Sequence, residues 1–300
     1  MTRRVLVTGA TGFAGQYIAP ALARGGYEVH GTTFAHPAKP AGGIVAVHAV
    51  DLTDAQAVSS LVETVRPTHI VHLAAISFVG HGDVGEIYAT NVVGTRNLLK
   101  AASELSETPQ SVLLMSSANI YGNSEKGVLD ENEPFNPAND YAVSKVAMEL
   151  MARQFADRLP LSVVRPFNYT GRGQGTNFLV PKIVSHFIAR ADHIELGNID
   201  VSRDFSDVRT VADICLRLLA SPAAGGQTVN ICSGVAHSLK EIIAMCSQIT
   251  GHSLEVRVNP AFVRRNEVKT LIGDTARLKS LVGDVANIPL HDTLSWMLES

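Results

Sequence analysis

The sequence has few cysteines and no long apolar run, and each absence excludes a class of protein. Its three cysteines, Cys215, Cys232 and Cys246, are odd in number and lack the spacing of a metal site. We therefore expect buried free thiols in a reducing compartment and no bound metal. No apolar run approaches the roughly 20 residues of a membrane-spanning helix, and the first residues contain no signal-peptide core. We expect a cytoplasmic protein that does not bind a membrane.

An excess of basic charge is also absent. Lys and Arg number 25 against 28 Asp and Glu, so the formal net charge is -3. The chain therefore lacks the basic surface that binds nucleic acids, and we expect no nucleic-acid partner. An anionic ligand would have to be met by a few local groups. The length of 300 residues permits one large domain or two smaller ones.

Strand and helix patterns alternate through the first half of the chain. The predicted strands are residues 5–8, 27–31, 43–50, 68–73, 111–115 and 161–165, and the predicted helices are residues 12–24, 55–65, 85–104 and 137–157. Such alternation predicts an α/β fold with a doubly wound parallel sheet, the Rossmann arrangement. The strands are continuous Val, Leu and Ile runs because both faces of a parallel sheet are buried.

After Arg165 this alternation breaks up. The predicted elements are helices at residues 179–189, 211–219 and 240–250 and a strand at residues 228–232, with polar segments at residues 168–177 and 196–208. We therefore predict a dinucleotide-binding domain over residues 1–166 and a smaller, interleaved substrate lobe over residues 167–300. Some later strands and helices are expected to return to the first domain.

Three glycines follow the first predicted strand, in the segment TGATGFAG of residues 8–15. One glycine permits a tight turn, one lets the backbone approach a pyrophosphate, and one lets the helix pack on the strand. The N-terminus of the next helix offers N–H groups to phosphate oxygens. A strand, a glycine turn and a helix in this order predict a dinucleotide site. Its candidate residues here are Gly9, Thr11, Gly12, Phe13, Ala14 and Gly15.

The second strand lacks the acidic residue that usually meets the cofactor ribose. It ends in His30-Gly31-Thr32-Thr33. An acid would bond the 2′-hydroxyl and repel a 2′-phosphate, whereas small polar residues do not repel it. We therefore favour NADP(H) over NAD(H), with Thr32 as a contact, although no obvious arginine replaces the acid.

Tyr141 and Lys145 lie four residues apart in a predicted helix, so they share one face. An ammonium near a phenol lowers the pKa of the phenol from about 10 toward neutrality, which makes Tyr141 a usable acid or base. Ser116 and Ser117 follow the fifth strand at the carboxyl edge of the sheet, where ligands bind. Ser117 can hydrogen-bond a reacting oxygen. We predict Ser117, Tyr141 and Lys145 as the catalytic residues.

These motifs together resemble the extended short-chain dehydrogenase/reductase family, whose members modify nucleotide-activated sugars. The glycine spacing, the segment NVVGT at residues 91–95, and the Ser117, Tyr141 and Lys145 set carry the resemblance. It implies a homodimer paired through the helices at residues 85–104 and 137–157. Further cofactor-binding residues that it implies are Asp51, Leu52, Leu73, Ala74, Ala75, Asn91, Ser116, Tyr141, Lys145 and Phe167.

The second half is most similar to GDP-mannose 4,6-dehydratases and GDP-4-keto-6-deoxymannose reductases. The segments RPFN at residues 165–168, LGNIDVSRDF at residues 196–205 and RRNEV at residues 264–268 carry this similarity. It implies a GDP-linked sugar substrate whose diphosphate meets Arg203 and Arg264 through charge-assisted bonds. The implied substrate-binding residues are Asn119, Asn168, Asn177, Phe178, Lys182, Asn198, Arg203, Arg264 and Glu267.

Position 119 separates the reactions of these relatives. The dehydratases carry an acid there and the GDP-fucose synthases a cysteine, whereas this chain has Asn119. An amide is not a general base at neutral pH. Ser117, Tyr141 and Lys145 suffice for hydride transfer to C4 with proton delivery to its oxygen. We therefore predict NAD(P)H-dependent reduction of a GDP-4-keto-6-deoxymannose to GDP-rhamnose.

Three alternatives stay open at this point. A sugar 4-epimerase uses the same serine, tyrosine and lysine and retains its cofactor. A dehydratase would need an unrecognised base. A non-catalytic redox sensor would have little reason to keep all three catalytic residues.

Overall fold

The computed structural model describes residues 2–34, 39–78, 81–122, 124, 126–260 and 270–299. Its strands are β1 (Arg4–Thr8), β2 (Glu28–Thr33), β3 (Ile44–Ala49), β4 (His69–His72), β5 (Ser111–Met115), β6 (Val128–Leu129), β7 (Leu161–Pro166), β8 (Asn168–Thr170), β9 (His193–Leu196), β10 (Ser202–Asp207), β11 (Thr228–Ile231), β12 (Ala236–Ser238), β13 (Glu255–Val258) and β14 (Thr270–Gly273). Its α-helices are α1 (Gly15–Arg24), α2 (Ala55–Val65), α3 (Val84–Tyr88), α4 (Thr95–Ser103), α5 (Asp140–Ala152), α6 (Leu179–Ile188), α7 (Val208–Ala220), α8 (Leu239–Thr250), α9 (Ala276–Val282) and α10 (Leu290–Leu298).

Seven strands form one parallel sheet in the order β11-β7-β5-β4-β1-β2-β3. Side chains alternate between the two faces of a strand, and β1 shows the consequence. Val5 and Val7 pack with α1 and α7, whereas Leu6 packs on the other face with α2 and α4. All three side chains are fully buried. The predicted doubly wound parallel sheet is confirmed.

A second lobe stands beside the carboxyl edge of this sheet. It contains the strand path β12-β10-β14-β6, with β8 paired to β10, and the pair β13-β9. Helices α6, α8 and α10 pack around a separate apolar cluster that includes Ile183, Phe187, Ile242 and Leu294. The short β6, from the first half of the chain, joins this lobe, while α7 and β11 return to the main sheet. The division at residue 166 stays a prediction.

The predicted long helix at residues 85–104 is interrupted. Between α3 and α4 the residues Ala89–Gly94 form a π-helical segment, a rare insertion that is frequent at functional sites. The segment holds the buried side chain of Asn91, which bonds to the backbone of Ile76 after β4. The predicted helix at residues 137–157 begins later, at Asp140, because the Asn139 side chain caps it.

The polar segment at residues 196–208 contains β10, a strand that was not predicted. Its polarity is misleading because Asp204 is fully buried and accepts hydrogen bonds from the N–H groups of Ser233 and Gly234, both at 2.8 Å. The elements β13, β14, α9 and α10 near the end of the chain were not predicted.

Candidate active site

The glycine turn after β1 is sterically closed to other residues. A Cβ on Gly9, whose φ is +68°, would lie 2.9 Å from the backbone of Ala74. A Cβ on Gly15 would lie 2.3 Å from the carbonyl oxygen of Gly9. No side chain caps the N-terminus of α1, so its end is open to a cofactor pyrophosphate. The turn therefore fits the dinucleotide that the sequence predicts.

Thr32, the predicted ribose contact, is not among the residues that line the cleft. It is buried, and its hydroxyl accepts a hydrogen bond from the Gly9 N–H at 3.2 Å. Thr11 is exposed and donates to the Thr33 hydroxyl at 3.2 Å. Thr32 thus fixes the glycine turn from below. Its contact with the cofactor ribose stays a prediction.

Asn91 supports the site from behind and does not line the cleft. Its side chain donates to the Ile76 carbonyl at 3.1 Å and to the Ser144 hydroxyl at 2.9 Å, and it accepts from the Ile76 N–H at 2.9 Å. Ser144 lies on α5 between Tyr141 and Lys145. Asn91 therefore connects the loop after β4 to α5, and its direct contact with the cofactor stays a prediction.

The predicted adenine contacts lie outside the cleft described below. Asp51 is exposed and accepts hydrogen bonds from the N–H and hydroxyl of Thr53. Leu52 is buried, and its carbonyl accepts from Asn97 at 2.9 Å. Their contact with adenine stays a prediction.

A buried histidine that the sequence did not indicate links the glycine turn to the π-helical segment. His72 lies 2.7 Å from the Thr8 hydroxyl through Nδ1 and 2.7 Å from the Thr95 hydroxyl through Nε2. The Thr95 hydroxyl donates to the Asn91 carbonyl at 2.7 Å. Burial, helped by the nearby Lys145 ammonium, lowers the pKa of His72 to about 3. The imidazole is therefore neutral and serves as a structural connector.

Ser117, Tyr141 and Lys145 meet at the carboxyl edge of the sheet, as predicted. Lys145 donates to the Met115 carbonyl at the end of β5, at 2.8 Å, and its ammonium lies 6.0 Å from the centre of the Tyr141 ring. The Ser117 hydroxyl accepts from the Asn119 N–H at 3.1 Å. Tyr141 and Lys145 are 8% and 2% exposed, so both are held in fixed positions.

The protonation of this pair differs from the expectation. Burial raises the pKa of Tyr141, and a hydrogen bond with Ser117 opposes that rise only in part. Burial lowers the pKa of Lys145 to about 8, against the attraction of Glu149. The expected lowering of the Tyr141 pKa by Lys145 is therefore wrong in this structure. The phenol is protonated at neutral pH and is ready to donate a proton.

Glu149, which was not among the predicted residues, organises the buried side chains beneath the site. Its carboxylate accepts from Ser116 at 2.5 Å and forms a paired contact with Arg165, at 3.0 and 2.7 Å. Glu149 and Arg165 are both buried, and Arg165 also donates to the Tyr121 hydroxyl. The available signal was the spacing, since Glu149 follows Lys145 by one turn on the same helix face.

One cleft of about 780 Å³ joins the sheet to the second lobe. Most of the predicted site residues line it: Gly9, Gly12, Phe13, Ala14, Gly15, Leu73, Ala75, Ser116, Ser117, Asn119, Tyr141, Lys145, Phe167, Asn168, Asn177, Phe178, Lys182, Asn198 and Arg203. Those that do not line it are Thr11, Thr32, Asp51, Leu52, Ala74 and Asn91. Arg264 and Glu267 lie outside the described residues.

On the lobe side of the cleft, β8 and β10 present polar side chains. Asn168 donates to the Asp204 carbonyl at 3.2 Å, and Arg203 donates to the Ser202 carbonyl at 2.9 Å. The neighbouring Asp204 carboxylate holds the loop after β11, and burial raises its pKa against the hydrogen bonds that it accepts. The strand that presents Arg203 is thus fixed by its buried neighbour.

Several lining residues were not predicted. Tyr169 stacks on Phe13 with ring centres 5.9 Å apart, and Phe78 meets Phe178 edge to face at 6.3 Å. Phe13 and Phe178 were predicted, whereas Tyr169 and Phe78 belong to no motif and become part of the cleft only through these ring contacts. Glu195 at the end of β9 also lines the cleft.

Within the described residues, no group of three or more His, Cys, Asp or Glu side chains could hold a metal ion. None of the helices described in the structure has the length and apolar character needed to cross a membrane.

Comparison with known proteins gives the family. The model of the GDP-mannose 4,6-dehydratase family matches residues 6–297. A GDP-6-deoxy-D-talose 4-dehydrogenase of Aggregatibacter actinomycetemcomitans is 37% identical over 94% of this chain and 92% of its own. A GDP-6-deoxy-D-mannose reductase of Pseudomonas aeruginosa is 34% identical over 100% of this chain and 93% of its own.

Solved structures agree with this assignment. A protein of Burkholderia cenocepacia J2315, provisionally described as an epimerase, is 50% identical with a TM-score of 0.94, over 99% of this chain and 97% of its own. The RMD protein of Pseudomonas aeruginosa in complex with NADPH is 30% identical with a TM-score of 0.84, over 100% of this chain and 97% of its own. The chain therefore belongs to the GDP-mannose 4,6-dehydratase family of extended short-chain dehydrogenases/reductases, and it is an NAD(P)-dependent oxidoreductase.

Proposed function

We propose that the protein reduces the C4 keto group of a GDP-4-keto-6-deoxymannose. The observation that carries this proposal is the lining of the cleft around Ser117, Tyr141 and Lys145. The neighbouring position holds Asn119, and the described lining residues include no cysteine and a single carboxylate, Glu195, which belongs to the second lobe. Elimination and epimerisation next to the keto group need a base, and none of these described residues supplies one beside Tyr141.

The buried groups suit proton delivery to a carbonyl oxygen. The protonated Tyr141 phenol donates to the developing C4 oxygen, and Ser117 can hydrogen-bond the same oxygen. Lys145 is held on the Met115 carbonyl and carries its charge at neutral pH, since its pKa is about 8. When bound, a reduced nicotinamide supplies the hydride.

GDP-rhamnose is the product that the sequence predicts, and the relative named for reduction of a GDP-6-deoxy-D-mannose supports it at 34% identity. GDP-6-deoxytalose, its C4 epimer, is the second candidate, because the relative named for it is 37% identical. The two products differ only in the configuration at C4, which is set by the face of the C4 carbonyl that receives the hydride.

For the cofactor, we propose a preference for NADP(H). β2 ends in Thr32 and Thr33, so its end carries no carboxylate that would repel a 2′-phosphate. A relative of similar fold binds NADPH. Fluorescence titration with NADPH and NADH would test this, and tighter binding of NADH would overturn it.

The decisive assay mixes the purified protein with NADPH and a panel of nucleotide-linked 4-keto-6-deoxy sugars. We expect loss of the reduced-cofactor absorbance with the GDP-linked sugar alone. The proton coupling between H3 and H4 then identifies the product, since it is large for rhamnose and small for 6-deoxytalose. Absence of oxidation with the whole panel would refute the proposal.

A sugar 4-epimerase is the second candidate activity, because the structure at 50% identity carries that provisional description. An epimerase would purify with bound NAD and interconvert two GDP-sugars without net cofactor consumption. Stoichiometric cofactor oxidation in the assay above would exclude it.

We also propose that Arg203 and Arg264 bind the substrate diphosphate and that the chain forms a homodimer. Adjacent helices expose apolar side chains, namely Val84 on α3, Val93 in the π-helical segment, and Val143 and Leu150 on α5. A second copy covering this face would pair the same helices. Light scattering should give twice the chain mass, and a Val143→Lys/Leu150→Lys double variant should give a monomer. A monomeric wild-type protein would refute the dimer.

A further inference from the structure

We infer that Glu195 reads the nucleobase and selects guanine. The inference rests on the proposed function, because it concerns the nucleotide end of the same GDP-sugar. It assigns a residue that the sequence motifs did not indicate.

Glu195 is unusual in a cleft built for an anionic ligand. Among the described lining residues it is the only carboxylate, beside the cations Lys145, Lys182 and Arg203. A carboxylate weakens the binding of a diphosphate by like-charge repulsion. It is therefore expected where the ligand offers N–H donors, which in a nucleotide sugar means the base.

The position of Glu195 agrees with the base end of the cleft. It lies at the end of β9, which pairs with β13 in the second lobe, whereas Tyr141 and Lys145 lie on α5 against the main sheet. A sugar that reacts at Tyr141 must direct its nucleotide away from α5. Its diphosphate would then meet Arg203 on β10, and its base would reach the β9 edge.

The carboxylate is held in place and retains acceptor capacity. Ile194 and Leu196 on either side are buried, so strand alternation turns Glu195 outward. Asn259 donates to its Oε2 at 2.9 Å. Two carboxylate oxygens offer about four acceptor sites, so one such bond leaves room for a paired contact. Lys182 donates to the backbone carbonyl of Glu195 at 2.8 Å, so an ammonium and a carboxylate line the cleft at the same point of β9.

Guanine is the base that complements this pair. Its N1–H and 2-amino group are adjacent donors that match two carboxylate oxygens, and O6 beside them accepts from an ammonium. Uracil presents one N–H between two carbonyl oxygens, which the carboxylate would repel. Adenine presents one amino group beside an acceptor nitrogen. A paired, charge-assisted contact thus favours guanine over both.

The test measures nucleotide binding to the NADP-loaded protein by calorimetry, with GDP, UDP and IDP, whose hypoxanthine lacks the 2-amino group. We expect the wild-type protein to bind GDP about tenfold more tightly than IDP, because one hydrogen bond to a charged group is lost. The Glu195→Gln variant should bind GDP roughly tenfold to hundredfold more weakly, with a GDP-to-IDP ratio near one. Glu63→Gln, an exposed substitution on α2 outside the cleft, is the matched control and should bind like the wild type.

Two results would overturn the inference: wild-type affinity for GDP in Glu195→Gln, or equal affinity of the wild type for GDP and IDP. Preference of the wild type for UDP would overturn both this inference and the GDP-sugar substrate. If GDP selectivity depends on Glu195 but no GDP-linked ketone is reduced, the inference stands and the proposed reaction fails.

Discussion

The two sides of the cleft are built differently. On the sheet side, Tyr141 and Lys145 are almost fully buried and are fixed by Ser117 and the Met115 carbonyl. On the lobe side, polar groups such as Asn168 and Asn177 are exposed. Burial fixes the geometry and protonation of the reacting groups before a ligand arrives. Exposed groups can change without disturbing the core, so the lobe is the side that can vary in specificity.

The largest expected effect is on turnover, through the sheet side. Tyr141→Phe removes the proton donor and should lower kcat by roughly 10²–10⁴-fold, while NADPH binding measured by fluorescence is retained. Tyr27→Phe is the control, since this buried tyrosine packs against His69 and Arg3, away from the cleft. Unchanged turnover in Tyr141→Phe would contradict a catalytic role for Tyr141.

The next effect is on folding. Glu149→Gln leaves the Arg165 guanidinium buried without its anion and should lower the free energy of unfolding by about 3–5 kcal/mol. Urea denaturation measures this. Asp213→Asn breaks an exposed pair with Arg217 and should cost less than about 1 kcal/mol. A loss that small in Glu149→Gln would mean that the buried contacts of Glu149 with Ser116 and Arg165 contribute little to the stability of the fold.

His72→Leu tests the connector beneath the glycine turn. It removes the partners of two buried hydroxyls and should destabilise the fold by about 1–3 kcal/mol at neutral pH. The effect should also depend on pH. The pKa of His72 falls from 6.5 to about 3 on folding, so below pH 6.5 the unfolded chain binds the extra proton.

The free energy of unfolding of the wild type should therefore fall as the pH drops below 6.5, the pKa of this imidazole in the unfolded chain. The loss from this group is up to about 1.4 kcal/mol per pH unit. The His72→Leu variant should lack this component, whereas His291→Leu, at an exposed histidine, should keep it. Identical acid dependence in wild type and His72→Leu would show that His72 is not buried in its neutral form.

Sequence patterns predict the sheet side well because its signals are local. The glycine turn spans eight residues, and Tyr141 and Lys145 are one helical turn apart. The predictions fail for elements whose environment is formed by segments far apart in the sequence. Asp204 makes β10 a buried strand only through Ser233 and Gly234, about 30 residues later.

The same reason explains what was missed within the site. Glu149 and Arg165 lie on a helix and a strand, and nothing in either segment shows that their side chains meet. The direction of the Thr32 hydroxyl depends on Gly9, in the turn after a different strand. Glu195 belongs to no sequence motif. Its significance is visible only in the folded cleft, where it is the one carboxylate among the described lining residues.

The smallest expected effect tests whether the lobe side changes affinity alone. Arg203→Lys keeps the charge but removes the planar fork that makes paired bonds to phosphate oxygens. The KM for the GDP-sugar should rise about tenfold, as expected for the loss of one charge-assisted bond, and the unfolding temperature should stay within a degree or two. Arg217→Lys, exposed on α7 outside the cleft, is the matched control for KM. If Arg203→Lys instead loses as much free energy of unfolding as Glu149→Gln, the lobe side stabilises the fold as much as the sheet side does. The separation of chemistry from specificity would then be wrong.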